Sequence, residues 1–504
     1  MTSHENLLGL AVLGWAFCAG PQLQCAQAAL IAIQEAILTA SGVMTNERFG
    51  TSVSLNADAT TALVGAFQDD RTGTAYVLVR SGSTWSQQAK LTASDGGAWE
   101  RFGWSVSLSS DGNTALVGAQ GNTVAGTGAG SAYVFVRSGG SWTQQLKLTA
   151  SDGATGDAFG SSVWLSIDGN TALVGAPGDD TPAGANAGSA YVFVRSGSTW
   201  SQQGKLTAGD GATGDTFGFS VCLNSDGNTA LVGAAAGDYV TLGSTGTNAG
   251  SAYAFVRSGS TWTQEAKLAA GRLHDQFGLS VSLSSDGNTA LIGAKWDATP
   301  ADEYAGSAYV FVRSGGSWSQ QAQLTAGNGR FGSSVSLCSD GNTAIVGAVS
   351  GRAGLLYGGS AYLFTRSGGT WSQQAELTPS DGTRQDAFGR SVSLSGDANM
   401  ALAGAETHDT PAGYAAGSAY VFRLLTVPEG YNRLSAERLG GGAVRLTYIG
   451  LPGTNYALDH TFNLNSNIVW VPQVTNPAPP DGSINFTTTP DPTTNHFWRM
   501  RSVP

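Results

Sequence analysis

The chain has 504 residues, 71 of them glycine, with only 12% charged residues and a formal net charge of −11. That length exceeds one ordinary domain unless the fold is a repeat array or a large all-β unit, and so much glycine implies tight turns rather than long solvated helices. The acidity excludes nucleic acid as a partner, because phosphate binding needs clustered Lys and Arg to displace counterions.

In chain order the first expected element is an export signal over residues 1–28. "LLGLAVLGWAFCAG", Leu7 to Gly20, is an apolar core too short to span a bilayer, and "AQA", Ala26 to Ala28, has the small-x-small form of a cleavage site. A secreted, periplasmic or cell-surface protein is therefore expected. No later apolar run is long enough to form a transmembrane segment. Beyond the signal only Cys222 and Cys338 remain. They fall in non-adjacent repeats and are expected as small buried residues without a disulfide.

A repeat follows. "FG" recurs at Phe49, Phe102, Phe159, Phe217, Phe277, Phe331 and Phe388. Each unit holds four strand-like segments. In the second unit "FGWSVSLS" alternates with period two, "SDGN" supplies a hairpin turn, and "NTALVGA" follows. "GSAYVFVRS" is the third segment and "WTQQLKLTA" the fourth. The fourth segment, with its Trp, occurs six times, at Trp85, Trp142, Trp200, Trp262, Trp318 and Trp371. The seventh unit lacks it, yet "QEAILTAS", Gln34 to Ser41, matches "QQAKLTAS", Gln87 to Ser94. The pattern predicts an all-β, seven-bladed β-propeller of four-stranded blades over residues 29–427, closed by the N-terminal strand. Glycine, alanine and serine in "VGA" and "GSAY" would allow close blade packing, with Phe and Trp filling the wedge that widens outward.

The string "FGxSVSL…DGNTALVGA…GSAYVF" resembles the FG-GAP repeats of integrin α-chain propellers and of many exported bacterial proteins, over roughly residues 30–425. The resemblance implies the propeller fold. Some relatives carry a calcium loop of the form D-x-D/N-x-D-G-x-x-D between the first two strands. Its ligand positions fall here on Ser107, Ser109, Asp111 and Ala115, and on Ser282, Ser284, Asp286 and Ala290 in the fifth unit. One carboxylate per loop does not meet the six to eight oxygens calcium takes, so a hairpin turn capped by its own Asp is expected and no cofactor is assigned.

Links between strands one and two, and three and four, are short and uniform. Those between strands two and three, and between blades, are long and varied, and they share the opposite rim. Loops on a rigid scaffold are where binding evolves. This varied rim gathers acids, and Asp152, Asp157, Asp179, Asp180, Asp210 and Asp215 are the weak cation candidates, with turn-capping as the alternative role. The histidines show no metal-ligand spacing, and His274 and His408 are expected as solvated loop residues.

Residues 428–504 read as a small β-sandwich-like module, its short strands separated by turns such as "TNPAPPDGS". It is similar to C-terminal modules on exported proteins of some environmental bacteria, as an attachment unit or a spacer. The expected protein is a monomeric, non-catalytic binding or adhesion scaffold that presents the varied acidic rim to a protein or glycan ligand. A glycan-active lyase or hydrolase with a rim pocket, marked by paired carboxylates or a carboxylate facing His274 or His408, is the alternative, as is a purely structural surface protein.

Overall fold

The structure, a computed structural model, describes residues 29–42, 44–121, 128–235, 249–270, 275–299, 304–326, 329–349 and 358–427. In the C-terminal part it describes 434–438, 444–450, 455–461, 471–478, 483–488 and 497–503. The expected export signal lies outside the described residues, as do His274 and several acids of the varied links. One compact unit spans Ala32–Leu424 and a second takes in Leu425–Pro504.

The first unit is a ring of seven antiparallel four-stranded sheets. Blade 2 shows the pattern, with strands Phe102–Leu108, Thr114–Ala119, Ser131–Ser138 and Ser141–Leu148. First strands of successive blades abut one another around the axis, whereas fourth strands scarcely meet. The second strand, "TALVGA", is buried along its whole length because each blade face is covered by a neighbour. Blade 7 consists of Phe388–Leu394, Met400–Ala405, Ser418–Val427 and, as its fourth strand, Ala29–Leu38. The ring is closed as the repeat pattern predicts.

The packing explains why the repeat is so uniform. At the boundary of blades 2 and 3, a Cβ on Gly118 would lie 2.1 Å from the Gly160 carbonyl oxygen, and one on Gly130 would lie 2.0 Å from that of Phe159. Gly130 and Gly160 also hold φ of +79° and +89°, which favours glycine. Serines of the first strand bridge the same boundary. Ser105 Oγ donates to the Gly160 carbonyl at 2.8 Å, and Ser107 Oγ accepts from the Leu165 N–H at 3.0 Å. At the outer edge Trp200 Nε1 donates to Gln145 Oε1 at 2.9 Å.

The closing boundary repeats these contacts. Ser391 Oγ donates to the Gly50 carbonyl at 2.9 Å and Ser393 Oγ accepts from Leu55 N–H at 3.0 Å. Glu35, on the closing strand, takes the place of the outer-edge glutamine and receives both Nε and Nη2 of Arg80 at 2.9 Å. On the short-loop rim a circle of backbone hydrogen bonds runs from Ala57 through Ser110, Ile167, Ser225, Ser285, Ser339 and Gly396 back to Ala57, each N–H donating to the next blade's carbonyl.

Two sequence expectations are refined. The repeated Phe does not fill the outer part of the wedge: it lies at the start of the innermost strand, fully buried, against the "SAY" tyrosine, as Phe102 does against Tyr133 at 5.4 Å. Only the Trp sits at the outer edge. Both remaining cysteines are free and buried, and each replaces a serine of the repeat. Cys222 Sγ accepts the interblade Leu283 N–H at 3.3 Å, and Cys338 Sγ accepts from Thr343 N–H at 3.2 Å in the hairpin. Burial pushes the Cys222 thiol up to about 12.

The second unit contains two three-stranded antiparallel sheets. One pairs Leu434–Arg438, Val444–Ile449 and Ser483–Thr488, and the other Val471–Pro477, Asn455–Thr461 and Phe497–Val503. Leu446, Tyr448, Ile484 and Phe486 from the first sheet share one buried cluster with Tyr456 and Leu458 from the second. That packing suits a small sandwich.

Candidate functional site

The varied rim begins where each first strand begins. The residue before Phe holds a left-handed backbone conformation, with φ of +56° at Arg101 and +57° at Ala158. Its carbonyl accepts from the residue after "FG", at 3.1 Å for Trp104 and Ser161. Pairing to the second strand then skips two positions, so this residue is thrown out of the ladder as a bulge. Bulges re-aim side chains. The re-aimed residues are Thr51, Trp104, Ser161, Phe219, Leu279, Ser333 and Arg390. They form a collar around the axis with the residues that follow "VGA" or its equivalent.

The collar's chemistry changes from blade to blade. Phe67 and Trp104 stack edge-on with ring centroids 4.9 Å apart. Ser161 Oγ donates to Gln120 Oε1 at 2.8 Å. At the closing boundary Glu406 accepts from Thr51 Oγ1 at 2.9 Å and pairs with Arg390 Nε at 3.3 Å. The sequence signal for this collar was the variable letter after each "FG", hidden inside a strand whose alternation otherwise reads as regular.

Farther out, the "SAY" tyrosine hydroxyl meets an acid in every blade. Tyr76 donates to Asp69 at 2.6 Å, Tyr133 to Asp95 at 2.9 Å, Tyr191 to Asp152 at 2.9 Å and Tyr362 to Glu376 at 3.0 Å. Tyr309 uses Asp297 and Tyr420 uses Asp381, while Tyr253 bonds to Asp210. In four blades a fourth-strand lysine completes the set. Lys147 reaches Asp95 at 2.7 Å, Lys267 reaches Asp210 at 2.6 Å, and Lys90 reaches Asp69 at 3.1 Å. Lys205 joins Asp152 and Asp179 at 2.7 Å each. The lysine bond holds Asp95 and Asp210 below the usual carboxylate range. For Asp152 burial pulls the other way, but the bonds from Lys205 and Tyr191 outweigh it and the net direction is down.

The remaining acids cap loops. Asp157 Oδ2 accepts from Ala154 N–H at 2.6 Å, Asp215 Oδ2 from Ala212 N–H at 2.8 Å, and Asp180 Oδ1 from Asn186 N–H at 2.8 Å. Of the six candidate acids, the structure thus brings Asp152 and Asp179 together around Lys205, joins Asp210 to Lys267, and leaves Asp157, Asp180 and Asp215 within their own turns. An ammonium group stands between Asp152 and Asp179, so these two acids are bridged by a side chain of the protein. Among the described residues no three His, Cys, Asp or Glu side chains gather in a metal-holding group. On the opposite rim Asp111 Oδ1 accepts from Asn113 N–H at 2.9 Å and from Ser109 Oγ, the local cap that the "DGN" turn predicts.

His408 departs from expectation. It is only 5% exposed, not solvated, and occupies the repeat position that Asp69, Asp179 and Asp297 hold in blades 1, 3 and 5. Its Nδ1 lies 3.3 Å from Tyr420 Oη and its Nε2 3.7 Å from Asp381. The fourth-strand lysine is replaced in this blade by Ile37, so the imidazole stands where the cation–acid cluster needs a polar partner. A carboxylate does face His408: Asp381 is exposed, whereas the imidazole itself is buried against Tyr420.

A family model for the FG-GAP repeat matches residues 33–78, 85–135, 142–193, 200–255, 262–311, 318–364 and 371–422. The chain belongs to the FG-GAP repeat family. Comparison with curated proteins gives no significant match. Each FG-GAP match starts in or beside a fourth strand and ends in the third strand of the next blade. The FG-GAP unit is therefore offset by one strand from the blade, and the first match begins within the closing strand. That offset leaves a strand to be supplied from the other end of the chain, which is how the ring is clasped.

Asp157 gives a testable consequence of the FG-GAP loop geometry. Burial pushes its carboxyl above the usual range, the Ala154 N–H opposes this, and the Asp179 charge adds to the rise. A raised carboxyl favours folding only while protonated, so ionisation at neutral pH disfavours the fold. Asp157→Asn, whose carbonyl oxygen can still accept from Ala154, is expected to raise the melting temperature at pH 7. The gain should vanish below about pH 4, where Asp is protonated in both states. Equal gains at both pH values would assign the effect to packing instead.

Proposed function

We propose that this FG-GAP propeller is a non-catalytic binding scaffold whose varied rim meets an extracellular macromolecule. The observation that supports it is internal to the repeat. Every position needed for packing is the same or nearly the same in seven blades, while the collar position after "FG" is Thr, Trp, Ser, Phe, Leu, Ser and Arg in turn. A side chain re-aimed by a bulge escapes the uniformity that fixes its neighbours, and Phe219 is exposed there although Thr51 and Ser333 are buried. The rim acids add support, since Asp69, Asp95, Asp152, Asp179 and Asp210 hold tyrosines or lysines, and Asp157, Asp180 and Asp215 hold loop amides, of the propeller itself. Export, expected from the apolar leader, is part of the same proposal.

The full chain can be tested on arrays of glycans and extracellular proteins beside two variants. The first replaces the collar residues Phe219 and Arg390 by Ser, which blades 3 and 6 already carry there. The second, Ile167→Ser, alters the short-loop rim at a position where four blades carry Ser. Capture that is lost in the collar variant and kept by Ile167→Ser is the expected outcome. The reverse pattern, or no capture by the unaltered chain, would overturn the proposal.

A further inference from the structure

The boundary between blades 1 and 2 departs from the repeat in a way that packing does not require. Three residues before the "FG" phenylalanine the chain needs a left-handed backbone. Blades 3 and 4 use Gly156 and Gly214 there, with φ of +100° and +82°, blade 1 uses Asn46 at +67° and blade 7 uses Gln385 at +75°. Blade 2 instead carries Trp99, at φ +74° and 53% exposed. A bulky residue in this conformation is strained, and an exposed indole gains nothing from burial. Its siblings show that the fold is satisfied by glycine.

Two arginines neighbour it, Arg71 across a backbone hydrogen bond and Arg101 two positions along the chain. Trp99 N–H donates to the Arg71 carbonyl at 2.7 Å, which sets the two residues side by side. Arg101 places its Cζ 5.6 Å from the Trp104 ring centroid, and Trp104 packs edge-on to Phe67. Elsewhere Arg80, Arg313 and Arg390 pair with Glu35, Glu265 and Glu406. The side chains of Arg71 and Arg101 make no ion pair or hydrogen bond among the described residues. Among the described residues Arg330 also stands over an indole, that of Trp296 at 4.5 Å, but no tryptophan in a left-handed conformation accompanies it.

We infer that Trp99, Trp104, Arg71 and Arg101 form a subsite for an anionic sugar residue of a glycan, its charge a carboxylate or a sulfate ester. This rests on the binding-scaffold reading and names its ligand class. An indole face accepts the C–H face of a pyranose ring, because the aromatic quadrupole is negative there. A guanidinium offers a planar fork of donors that matches a carboxylate or sulfate in two hydrogen bonds, and stacking on Trp104 preorganises it. The aromatics are few and interspersed with charge, which suits a sugar better than the broad apolar patch of a protein interface.

The test is calorimetric titration of the full chain with three probes: an oligogalacturonate, a sulfated galactan oligomer and neutral cellohexaose. Binding of at least one anionic oligomer, ten times or more tighter than cellohexaose, is expected. Trp99→Gly and Arg101→Gln should each weaken it at least tenfold, with melting of Trp99→Gly unchanged or raised because sibling blades carry glycine there. Trp104→Ser, also a sibling residue, provides a second fold-neutral variant with the same expected loss. Equal affinity for cellohexaose, unaltered affinity in Trp99→Gly and Trp104→Ser, or no binding of any probe would overturn the assignment. If array capture remains sensitive to Phe219 and Arg390 in those cases, only this subsite fails and the rim reading stands.

Discussion

A chain lacking Ala29–Leu38 is expected to melt at a markedly lower temperature than the full chain and to associate in a concentration-dependent way. Among the described residues this strand is the partner of the outer edge of Ser418–Val427, a ten-residue strand rich in apolar residues. Its removal would leave a row of unpaired N–H and C=O groups on a long flat edge, the usual template for pairing with a second chain. Three further attachments go with it. Leu38, 2% exposed, leaves the core; Arg80 loses its bidentate Glu35; and the Ser380 N–H loses Gln34 Oε1, which it reaches at 2.9 Å. The Arg80 loss is the sharpest, because a half-buried guanidinium left without its carboxylate keeps its desolvation penalty. Thermal melts over a range of protein concentrations, read with size-exclusion chromatography, check the expectation. A truncated chain that stays monomeric with an unchanged melt would show that the ring holds without its clasp.

The clasp was legible because it is written in the repeat's own letters: "QEAIL" at Gln34 to Leu38 is a fourth strand placed before the first blade. The packing residues were legible for the same reason, since seven copies of "VGA" and "GSAY" or close variants declare that their size matters. What stayed hidden were roles carried by a residue's place in three dimensions rather than by its type. The lysines Lys90, Lys147, Lys205 and Lys267 recur at one position, but a lysine in an outer strand reads as a solvated charge. Only the fold shows it reaching an acid on another segment of the rim. Asp152, Asp179 and Asp210 were candidates for a cation site, and in three dimensions their cation is a lysine ammonium. The collar was missed because "FGWSVSL" reads as an ordinary alternating strand, and the bulge that re-aims Trp104 comes from a left-handed residue outside that string. His408 was missed because a single histidine in a loop carries no sequence sign of burial.

Gly175→Ala is expected to destabilise the ring by about 3 kcal/mol or more, at the upper end of overpacking losses, although it adds one methyl group. The Cβ would stand 1.9 Å from the Gly218 carbonyl oxygen and 2.3 Å from Ser162 Oγ. Neither can retreat freely. Gly218 itself has φ of +93° and no room, with its own Cβ position 2.2 Å from the Ser189 carbonyl oxygen. Ser162 Oγ is held by its bond to that same Gly218 carbonyl at 2.8 Å. The methyl would therefore push blade 4 away from blade 3, and in a closed ring that displacement must be absorbed by the other boundaries. Gly140→Ala is the control, because nothing lies within 4 Å of its Cβ position and its effect should stay within about 0.5 kcal/mol. Denaturant unfolding of both variants separates the two cases. A Gly175→Ala chain as stable as Gly140→Ala would mean that the blades slide apart at little cost, and that contact across the boundary does not set the ring's geometry.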